Sequence, residues 1–199
     1  MRPADTLARV QAALEGPGQP SSDFDLNPAF RPEGRVLRPA GVLVALVERP
    51  GGLAVLLTKR ASGLKHHPGQ IAFPGGKVDP GDADVIAAAL REAQEEAGLN
   101  PAQVRVLGTM PAHETVTGFS VTPVIAVVQG DFTPVCEAGE VEEAFFVPFA
   151  HVMDKSAYSI QRRRWMGQWR QYYAVPWGPY YIWGATGRIL RALADRLSR

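Results

Sequence analysis

Cysteine, net charge and long hydrophobic runs are all scarce in this sequence, and each shortage excludes a class of protein. The single cysteine, Cys136, cannot form an internal disulfide, so we expect a protein of the reducing cytoplasm. A formal net charge of +1 gives no general attraction to nucleic acid or to a membrane surface. The longest apolar runs, at 41–47 and 121–128, are too short to span a bilayer, and the first residues lack the pattern of a signal peptide. We therefore expect a cytoplasmic protein with neither a membrane nor a nucleic acid as its partner.

Glycine and proline, by contrast, are plentiful, with 20 and 17 residues, and they divide the chain into segments. Residues 1–40 are predicted to be an N-terminal helix, over 1–15, followed by an extended Pro/Gly-rich arm, and residues 41–199 a single domain. Strand patterns lie at 41–48, 53–60, 103–110, 121–129, 142–147 and 167–174, and helical patterns at 83–97 and 185–198. Because strands and helices do not alternate steadily, we predict an α+β fold rather than a doubly wound sheet.

The helix predicted at 83–97 carries an unusual concentration of acid. Glu92, Glu95 and Glu96 fall within little more than one turn, on one flank of its apolar stripe. Like charges four residues apart on a helix repel each other. The cluster is therefore either a solvated acidic face or a site at which a cation lies among the three carboxylates.

Residues around the helix favour the cation. Asp82 is predicted to cap its N-terminus and Gly98 its C-terminus, while Arg91 is expected to point elsewhere on the surface. The preceding segment contains Gly75 and Gly76, where bare backbone can approach a ligand closely. Clustered carboxylates suit a hard cation such as Mg²⁺ or Mn²⁺, which commonly bridges one or two acids to substrate phosphates. Together these features predict a site of phosphate chemistry.

The same stretch resembles the Nudix box, G-x5-E-x7-R-E-U-x-E-E-x-G-U, where U is an aliphatic residue. Starting from Gly76, the second half of the motif matches at Arg91, Glu92, Ala93, Glu95, Glu96, Gly98 and Leu99. The first half departs from it, because Asp82 stands at the glutamate position and eight residues rather than seven separate it from Arg91. The resemblance implies a Nudix αβα sandwich, with a mixed β-sheet between helices.

A second stretch, LLTKRASGLKHHPGQIAFPGGK, is similar to the signature of the coenzyme A diphosphatase branch of that family. The matching positions are Arg60, Leu64, His67, Gly69, Gln70, Phe73 and Pro74, and weaker likeness extends the resemblance over about 41–193. This branch hydrolyses the diphosphate of coenzyme A or its thioesters to 3′,5′-ADP and (acyl-)4′-phosphopantetheine. The resemblance therefore implies a metal-dependent enzyme whose substrate is a small molecule, coenzyme A or acyl-coenzyme A.

The resemblance also implies roles for the acids. Glu92 and Glu96 are the first-choice ligands of Mg²⁺ or Mn²⁺, with the carbonyl of Gly76 as a further oxygen, and Glu95 is a ligand or assists the base. Arg91 is expected to orient a carboxylate. A further catalytic acid is expected from a later loop, for which Glu140 is the best candidate.

Glu114 stands second to Glu140 as that further acid. Residues expected to bind substrate come before the box: Lys59, Arg60, His67, Gln70 and Gly75. Among these, Lys59 and Arg60 end a strand aimed at the site and are expected to bind the 3′-phosphate, for which a guanidinium offers bidentate contacts.

Two alternatives to coenzyme A hydrolysis stay open at this point. One is a Nudix hydrolase of another nucleoside diphosphate derivative, such as ADP-ribose or NADH. The other is a non-catalytic Nudix module that senses a ligand or binds RNA. The basic and aromatic run at 162–165 is interpreted as a surface strand, at the contact of a homodimer or beside the adenine, rather than as a nucleic-acid site. Trp183 and Tyr181 are interpreted as core or pocket wall.

Overall fold

Helices cover both faces of a nine-stranded mixed sheet in the computed structural model, which describes residues 2–65, 67–165 and 167–198. The helices are α1 (Pro3–Glu15), α2 (Val85–Ala97), α3 (Phe149–Met153) and α4 (Gly184–Leu197). The strands are β1 (Ser21–Ser22), β2 (Arg38–Arg49), β3 (Gly52–Arg60), β4 (Ile71–Ala72), β5 (Gly75–Lys77), β6 (Val104–Thr109), β7 (His113–Glu114), β8 (Phe119–Val128), β9 (Val141–Pro148), β10 (Ser159–Trp165) and β11 (Gln168–Ala174). None of these helices has the length and apolar character that crossing a bilayer requires.

Strand β2 is the centre of the sheet. It pairs in parallel with β8 over 38–46 and 119–127, and antiparallel with β3 and β5. The path β1-β7-β8-β2-β3-β4 is extended by β6 on β8 and by β9 on β3. Parallel and antiparallel neighbours thus coexist, while β10 and β11 form a separate antiparallel hairpin.

The two faces of the sheet bury alternate side chains of β2. Leu43 and Ala45 share a cluster with Ala89 and Ala93 of α2, whereas Val44 belongs to the cluster that contains side chains of α1, α3 and α4. This period of two is what a strand buried on both faces requires. The αβα sandwich with a mixed sheet is therefore confirmed.

Helix α2 approaches the sheet very closely at Gly41. A β-carbon on Gly41 would lie 2.0 Å from the carbonyl oxygen of Val85, at the first turn of the helix. Only glycine leaves room for this crossing. The alanine-rich face of the helix continues the close approach and holds its acidic flank beside the end of β5.

The N-terminal segment packs on the same core as the rest of the chain. Helix α1 buries Val10 completely, and Arg196 of α4 donates hydrogen bonds to the carbonyl oxygens of Ala13, Leu14 and Gly16 at the end of α1. These bonds satisfy carbonyls that a helix end leaves without an intrahelical partner. The first helix thus packs against the last one.

The segment that follows α1 contains a two-residue strand that pairs with the sheet. Ser21–Ser22 pair in parallel with His113–Glu114. His113 is fully buried and shares hydrogen bonds with Ser21 Oγ, at 2.9 Å, and with Asp23 Oδ1, at 3.1 Å. A buried imidazole with both nitrogens bonded fixes this segment against the sheet.

Candidate active site

Helix α2 begins two residues later than a cap at Asp82 would place it. Oδ1 of Asp84 accepts hydrogen bonds from Ile86 N, at 2.9 Å, and Ala87 N, at 2.8 Å, so Asp84 is the N-cap and the prediction of Asp82 was wrong. Asp82 is instead engaged in the preceding turn, where its carboxylate accepts from the backbone N–H of Asp79 at 2.8 Å. The predicted C-terminus is confirmed, since Gly98 adopts the left-handed conformation.

Arg91 lies among the acids, and the expectation that it points elsewhere was wrong. Its Nε and Nη2 donate to the two carboxylate oxygens of Asp82 at 3.0 Å each. Its Nη1 lies 2.9 Å from Glu95 Oε2 and 3.1 Å from Glu92 Oε1. Hydrogen bonding to Arg91 lowers the pKa of Asp82 below its ordinary value. The guanidinium thus joins the loop before α2 to two of the glutamates on the helix.

Glu96 is the buried member of the cluster, with 5% of its surface exposed. Its Oε2 accepts a hydrogen bond from Gly75 N at 3.3 Å, and its Oε1 lies 3.9 Å from Nη1 of Arg60. Burial raises the pKa of Glu96 to about 7, because an ionised carboxylate is poorly solvated there. The N–H of Gly75 and the charge of Arg60 oppose this rise, whereas Glu92 and Glu140 add to it.

Glu92 is half-buried against the backbone of Gly76. A β-carbon on Gly76 would lie 2.3 Å from Glu92 Oε1, so glycine lets the carboxylate take this position. Burial raises the pKa of Glu92, and the charge of Arg91 opposes the rise. The negative charge of Glu140 contributes to the raised pKa of both Glu92 and Glu96. Glu140 is thus an electrostatic neighbour of both glutamates.

Glu95 and Glu114 lie in different surroundings. The side chain of Glu95 is 57% exposed, and its carboxylate pairs with Arg91. Glu114 is buried on β7, beside Arg31 at 2.6 Å and Arg35 at 3.4 Å, at the edge of the sheet that the N-terminal segment covers. Of the two later acids considered from the sequence, Glu140 is the one whose charge contributes to the raised pKa of Glu92 and Glu96.

The two cations at the end of β3 have different partners. The pairing of β3 with β9 is irregular between Lys59 and Arg60. Lys59 Nζ lies 2.6 Å from Glu142 Oε1, and this hydrogen bond raises the pKa of Lys59. Arg60 extends toward Glu96, as described above. Glu92, Glu96 and Glu140 are called the carboxylate cluster below. Arg60 is therefore a neighbour of this cluster, whereas Lys59 is paired with Glu142 on the adjacent strand β9.

The loop after β3 is closed by its own backbone. Arg60 N donates to Gln70 O, and Gly69 N donates to Arg60 O, both at 3.0 Å. His67 is exposed on this loop with a positive φ of 55°. The amide nitrogen of Gln70 lies 3.4 Å from where a β-carbon on Gly184 would stand. Gln70 thus lies between Arg60 and the start of α4.

The cluster suits a hard divalent cation that is completed by other oxygens. Among the residues described, no three acidic, histidine or cysteine side chains are grouped closely enough to hold an ion alone. Glu92 and Glu96 with the Gly76 backbone nevertheless form an oxygen-rich donor set. A Mg²⁺ site commonly uses one or two carboxylates and takes its other ligands from water and substrate phosphates. These residues therefore fit Mg²⁺ or Mn²⁺.

Comparison with known proteins agrees with this geometry. A family model described as the NUDIX domain matches residues 37–167. The protein described as uncharacterized Nudix hydrolase NudL from Enterobacter sp. (strain 638) is 44% identical over 139 residues, which cover 66% of this chain and 68% of that protein. NudL from Escherichia coli O1:K1 is 41% identical over 134 residues, with the same coverage.

Solved structures show the same fold. The crystal structure of RenU, a Nudix hydrolase from M. smegmatis, has 29% identity and a TM-score of 0.50, covering 62% of this chain and 84% of that one. A MutT/nudix family protein from Enterococcus faecalis has 17% identity and a TM-score of 0.51, covering 84% of this chain and 64% of that one, a likeness of fold alone. The matching family model spans more than half of the chain and includes every acid of the carboxylate cluster. The chain belongs to the Nudix hydrolase family.

Proposed function

We propose that this chain hydrolyses the diphosphate of coenzyme A or its thioesters, with Mg²⁺ or Mn²⁺, to 3′,5′-ADP and (acyl-)4′-phosphopantetheine. Membership of the Nudix hydrolase family supports hydrolysis of a diphosphate. The observation that carries the finer proposal is the position of Glu96. This buried carboxylate contacts both the glycine loop, at Gly75, and Arg60 of the segment that resembles the coenzyme A signature.

A bound metal would relieve the repulsion among the carboxylates of the site. Burial and the proximity of Glu92 and Glu140 make the ionised form of Glu96 unfavourable. Glu92 and Glu96 are the carboxylates that would hold a divalent cation, whose charge would offset this repulsion and favour an anionic diphosphate at an otherwise acidic site. The chemistry that such an ion supplies when bound is Lewis-acid polarisation of the phosphoryl oxygens.

The remaining chemistry is assigned to side chains of the chain itself. We assign to Glu140 the removal of a proton from the attacking water, because it is an exposed carboxylate whose charge acts on both Glu92 and Glu96. Arg91 is a positioning residue that holds the Glu92 carboxylate. Glu95, which pairs with Arg91 from the solvent side, is assigned to the same positioning task.

The substrate side of the proposal uses the loop between β3 and β5. Arg60 is placed to bind oxygens of the diphosphate, since its guanidinium already lies beside Glu96. The absence of side chains at Gly75 and Gly76 lets the diphosphate approach the carboxylates closely. Gln70 and the exposed His67 extend the contact along the nucleotide. Lys59, which is paired with Glu142, is left with a supporting role at the end of β3.

The test is digestion of coenzyme A by the purified chain with Mg²⁺, followed by identification of the products by mass. We expect 3′,5′-ADP and 4′-phosphopantetheine, and faster turnover than with ADP-ribose or NADH. Glu96→Gln should reduce kcat at least 100-fold while the domain stays folded. Glu95→Gln, the neighbouring and exposed control, should retain at least ten times the activity of Glu96→Gln. Faster hydrolysis of ADP-ribose by the unaltered chain would reject the substrate, and near-normal turnover by Glu96→Gln would reject its role.

A further inference from the structure

The hairpin of β10 and β11 has two faces of different composition. In its register Gln161 pairs with Tyr172 and Arg162 pairs with Gln171. Because side chains alternate between the faces of a strand, Arg163 shares one face with Tyr172, and Arg162 shares the other with Trp169. Each arginine lies over a tryptophan, Arg162 at 5.1 Å from the ring centroid of Trp169 and Arg163 at 5.0 Å from that of Trp183. Each face of the hairpin therefore carries an exposed arginine packed on a tryptophan, but the two tryptophans belong to different parts of the chain.

The face with Arg163 continues into an aromatic wall that consists of Tyr172, Tyr181 and Trp183. The rings of Tyr172 and Trp183 have centroids 5.0 Å apart, and the hydroxyls of Tyr172 and Tyr181 lie 3.2 Å apart. Tyr181 is 44% exposed, and Tyr172 and Trp183 are half-buried. An accessible aromatic surface of this kind can stack on any of the nucleobases, because each has a π-face.

The aromatic wall is followed in the chain by a segment that packs near Gln70. Trp183 immediately precedes Gly184, and Gly184 lies beside the side-chain amide of Gln70. Thr186 of α4 donates a hydrogen bond to Ile71 O at 3.0 Å, which fixes the start of α4 to β4. Gln70 accepts from the backbone of Arg60, the neighbour of Glu96. Gln70 therefore lies between Arg60, which neighbours Glu96, and Gly184, which follows the wall.

The cationic side chains near Gln70 and the aromatic wall differ in whether they already form an ion pair with an acid. Lys59 is paired with Glu142, and Arg60 lies next to Glu96, where it serves the diphosphate. Arg163 is exposed, and within the described parts of the chain it forms no ion pair with an acid. Its contact with Trp183 leaves its N–H groups able to bind an anion. Arg163 is therefore well suited to a phosphate at the far end of the substrate.

We propose that the aromatic wall and Arg163 form the subsite for the nucleoside end of the substrate, in which the wall stacks on the base and Arg163 binds the phosphate on the ribose. This inference rests on the function proposed above. It assigns the 3′-phosphate to Arg163, in place of Lys59 and Arg60. Charge-assisted hydrogen bonds of this kind change affinity by about 10- to 100-fold.

The test measures binding of 3′,5′-ADP and of 5′-AMP to the unaltered chain, to Arg163→Ala and to Arg162→Ala by titration calorimetry. Arg162 is the matched control, since it is exposed, adjacent and stacked on its own tryptophan. Arg163→Ala should weaken 3′,5′-ADP at least tenfold and 5′-AMP less than threefold, while Arg162→Ala leaves both unchanged. Equal loss in both variants, no loss in Arg163→Ala, or no binding by the unaltered chain would overturn the subsite.

Hydrolysis assays separate this subsite from the proposed reaction. If the chain cleaves coenzyme A and Arg163→Ala keeps the normal preference for it over dephospho-coenzyme A, the subsite is wrong and the reaction stands. If Arg163 is required to bind 3′,5′-ADP but coenzyme A is not cleaved, the reaction is wrong and the subsite stands. Tight binding of single-stranded RNA that both arginine variants lose equally would identify the hairpin as a nucleic-acid surface and overturn the assignment.

Discussion

Arg91 donates two parallel hydrogen bonds to Asp82, from Nε to Oδ1 and from Nη2 to Oδ2, each at 3.0 Å. Asp82 belongs to the loop that follows β5, and Arg91 lies in the middle of α2, so this pair joins the glycine-rich loop to the helix that carries the acids. The same guanidinium reaches Glu92 and Glu95. The arrangement holds the carboxylate of Glu92 near Gly76.

Asp82→Asn tests this positioning role. An amide retains one acceptor oxygen but cannot accept at its nitrogen, so one of the two bonds to Arg91 is lost. We expect kcat for coenzyme A to fall about tenfold with little change in KM. Asp84→Asn is the control, because asparagine caps a helix as well as aspartate does. Unchanged kcat in Asp82→Asn, or an equal fall in Asp84→Asn, would contradict the role of the pair.

The stability of the metal-free protein should depend on pH through Glu96. Its pKa is raised from 4.5 to about 7 in the folded state. Between these values the folded state holds a proton that the unfolded state releases, so the free energy of unfolding falls as pH rises and levels off above about pH 7. The total loss is about 3 kcal/mol, at ~1.4 kcal/mol for each pKa unit.

Glu96→Gln removes this titration and isolates it. In chelator, urea unfolding should show the variant more stable than the unaltered chain at pH 8, with a much smaller difference at pH 4.5. Glu95→Gln, which replaces the exposed carboxylate one residue earlier, is the control. A difference for Glu96→Gln that is the same at both pH values would mean that Glu96 titrates normally.

Gly75 and Gly76 should respond differently to alanine. A β-carbon on Gly76 meets the end of the Glu92 side chain, which can move, so Gly76→Ala should lower kcat at least tenfold with little loss of stability. A β-carbon on Gly75 meets backbone, at 2.5 Å from Gly41 O, and its φ is 156°, so Gly75→Ala should destabilise the fold by about 3 kcal/mol. Activity assays and thermal unfolding distinguish the two.

Gly81→Ala is the control for both substitutions, since a β-carbon there meets no atom within 4 Å. It should resemble the unaltered chain in kcat and in unfolding temperature. Normal activity in Gly76→Ala would show that the position of the Glu92 carboxylate does not matter to the reaction.

Val10→Ala tests whether residues 1–40 fold with the domain or as a separate arm. Val10 is fully buried in the cluster that contains side chains of α4, so its truncation should lower the free energy of unfolding by about 2 kcal/mol. Urea unfolding should remain a single transition for the whole chain. Gln11→Ala, on the exposed side of α1, should have little effect. A second, earlier transition that only Val10→Ala shifts would favour a separate arm.

Long periodic segments could be predicted from the sequence, and short ones could not. The strand predicted at 53–60 is Gly52–Arg60, and the helix predicted at 185–198 is Gly184–Leu197. The two-residue strands β1, β4 and β7 have no periodicity to detect, because tertiary pairing alone defines them. The segment at 16–40 was interpreted as an arm because it is rich in Pro and Gly, and its pairing with β7 could not be deduced locally.

The acids of the candidate site could be selected from the sequence, whereas their partners could not. Three aspartates, at positions 79, 82 and 84, precede α2, and each is a good N-cap, so composition does not decide between them. The side chain of Asp82 accepts a hydrogen bond from the backbone N–H of Asp79, three residues earlier, and so closes a turn. Aspartate at this spacing is typical of such turns, and this signal could have excluded Asp82 as the helix cap. The direction of Arg91 depends on that turn, which lies nine residues away.

The central proposition, that Glu92 and Glu96 hold a divalent ion on which hydrolysis of coenzyme A depends, is tested most directly by one experiment. Coenzyme A hydrolysis is measured after chelation and after stepwise return of Mn²⁺, while bound Mn²⁺ is counted by electron paramagnetic resonance. We expect chelation to abolish hydrolysis, activity to return in proportion to bound Mn²⁺, and Glu96→Gln to lose both. Hydrolysis that persists in chelator, or Mn²⁺ binding that Glu96→Gln leaves intact, would contradict it.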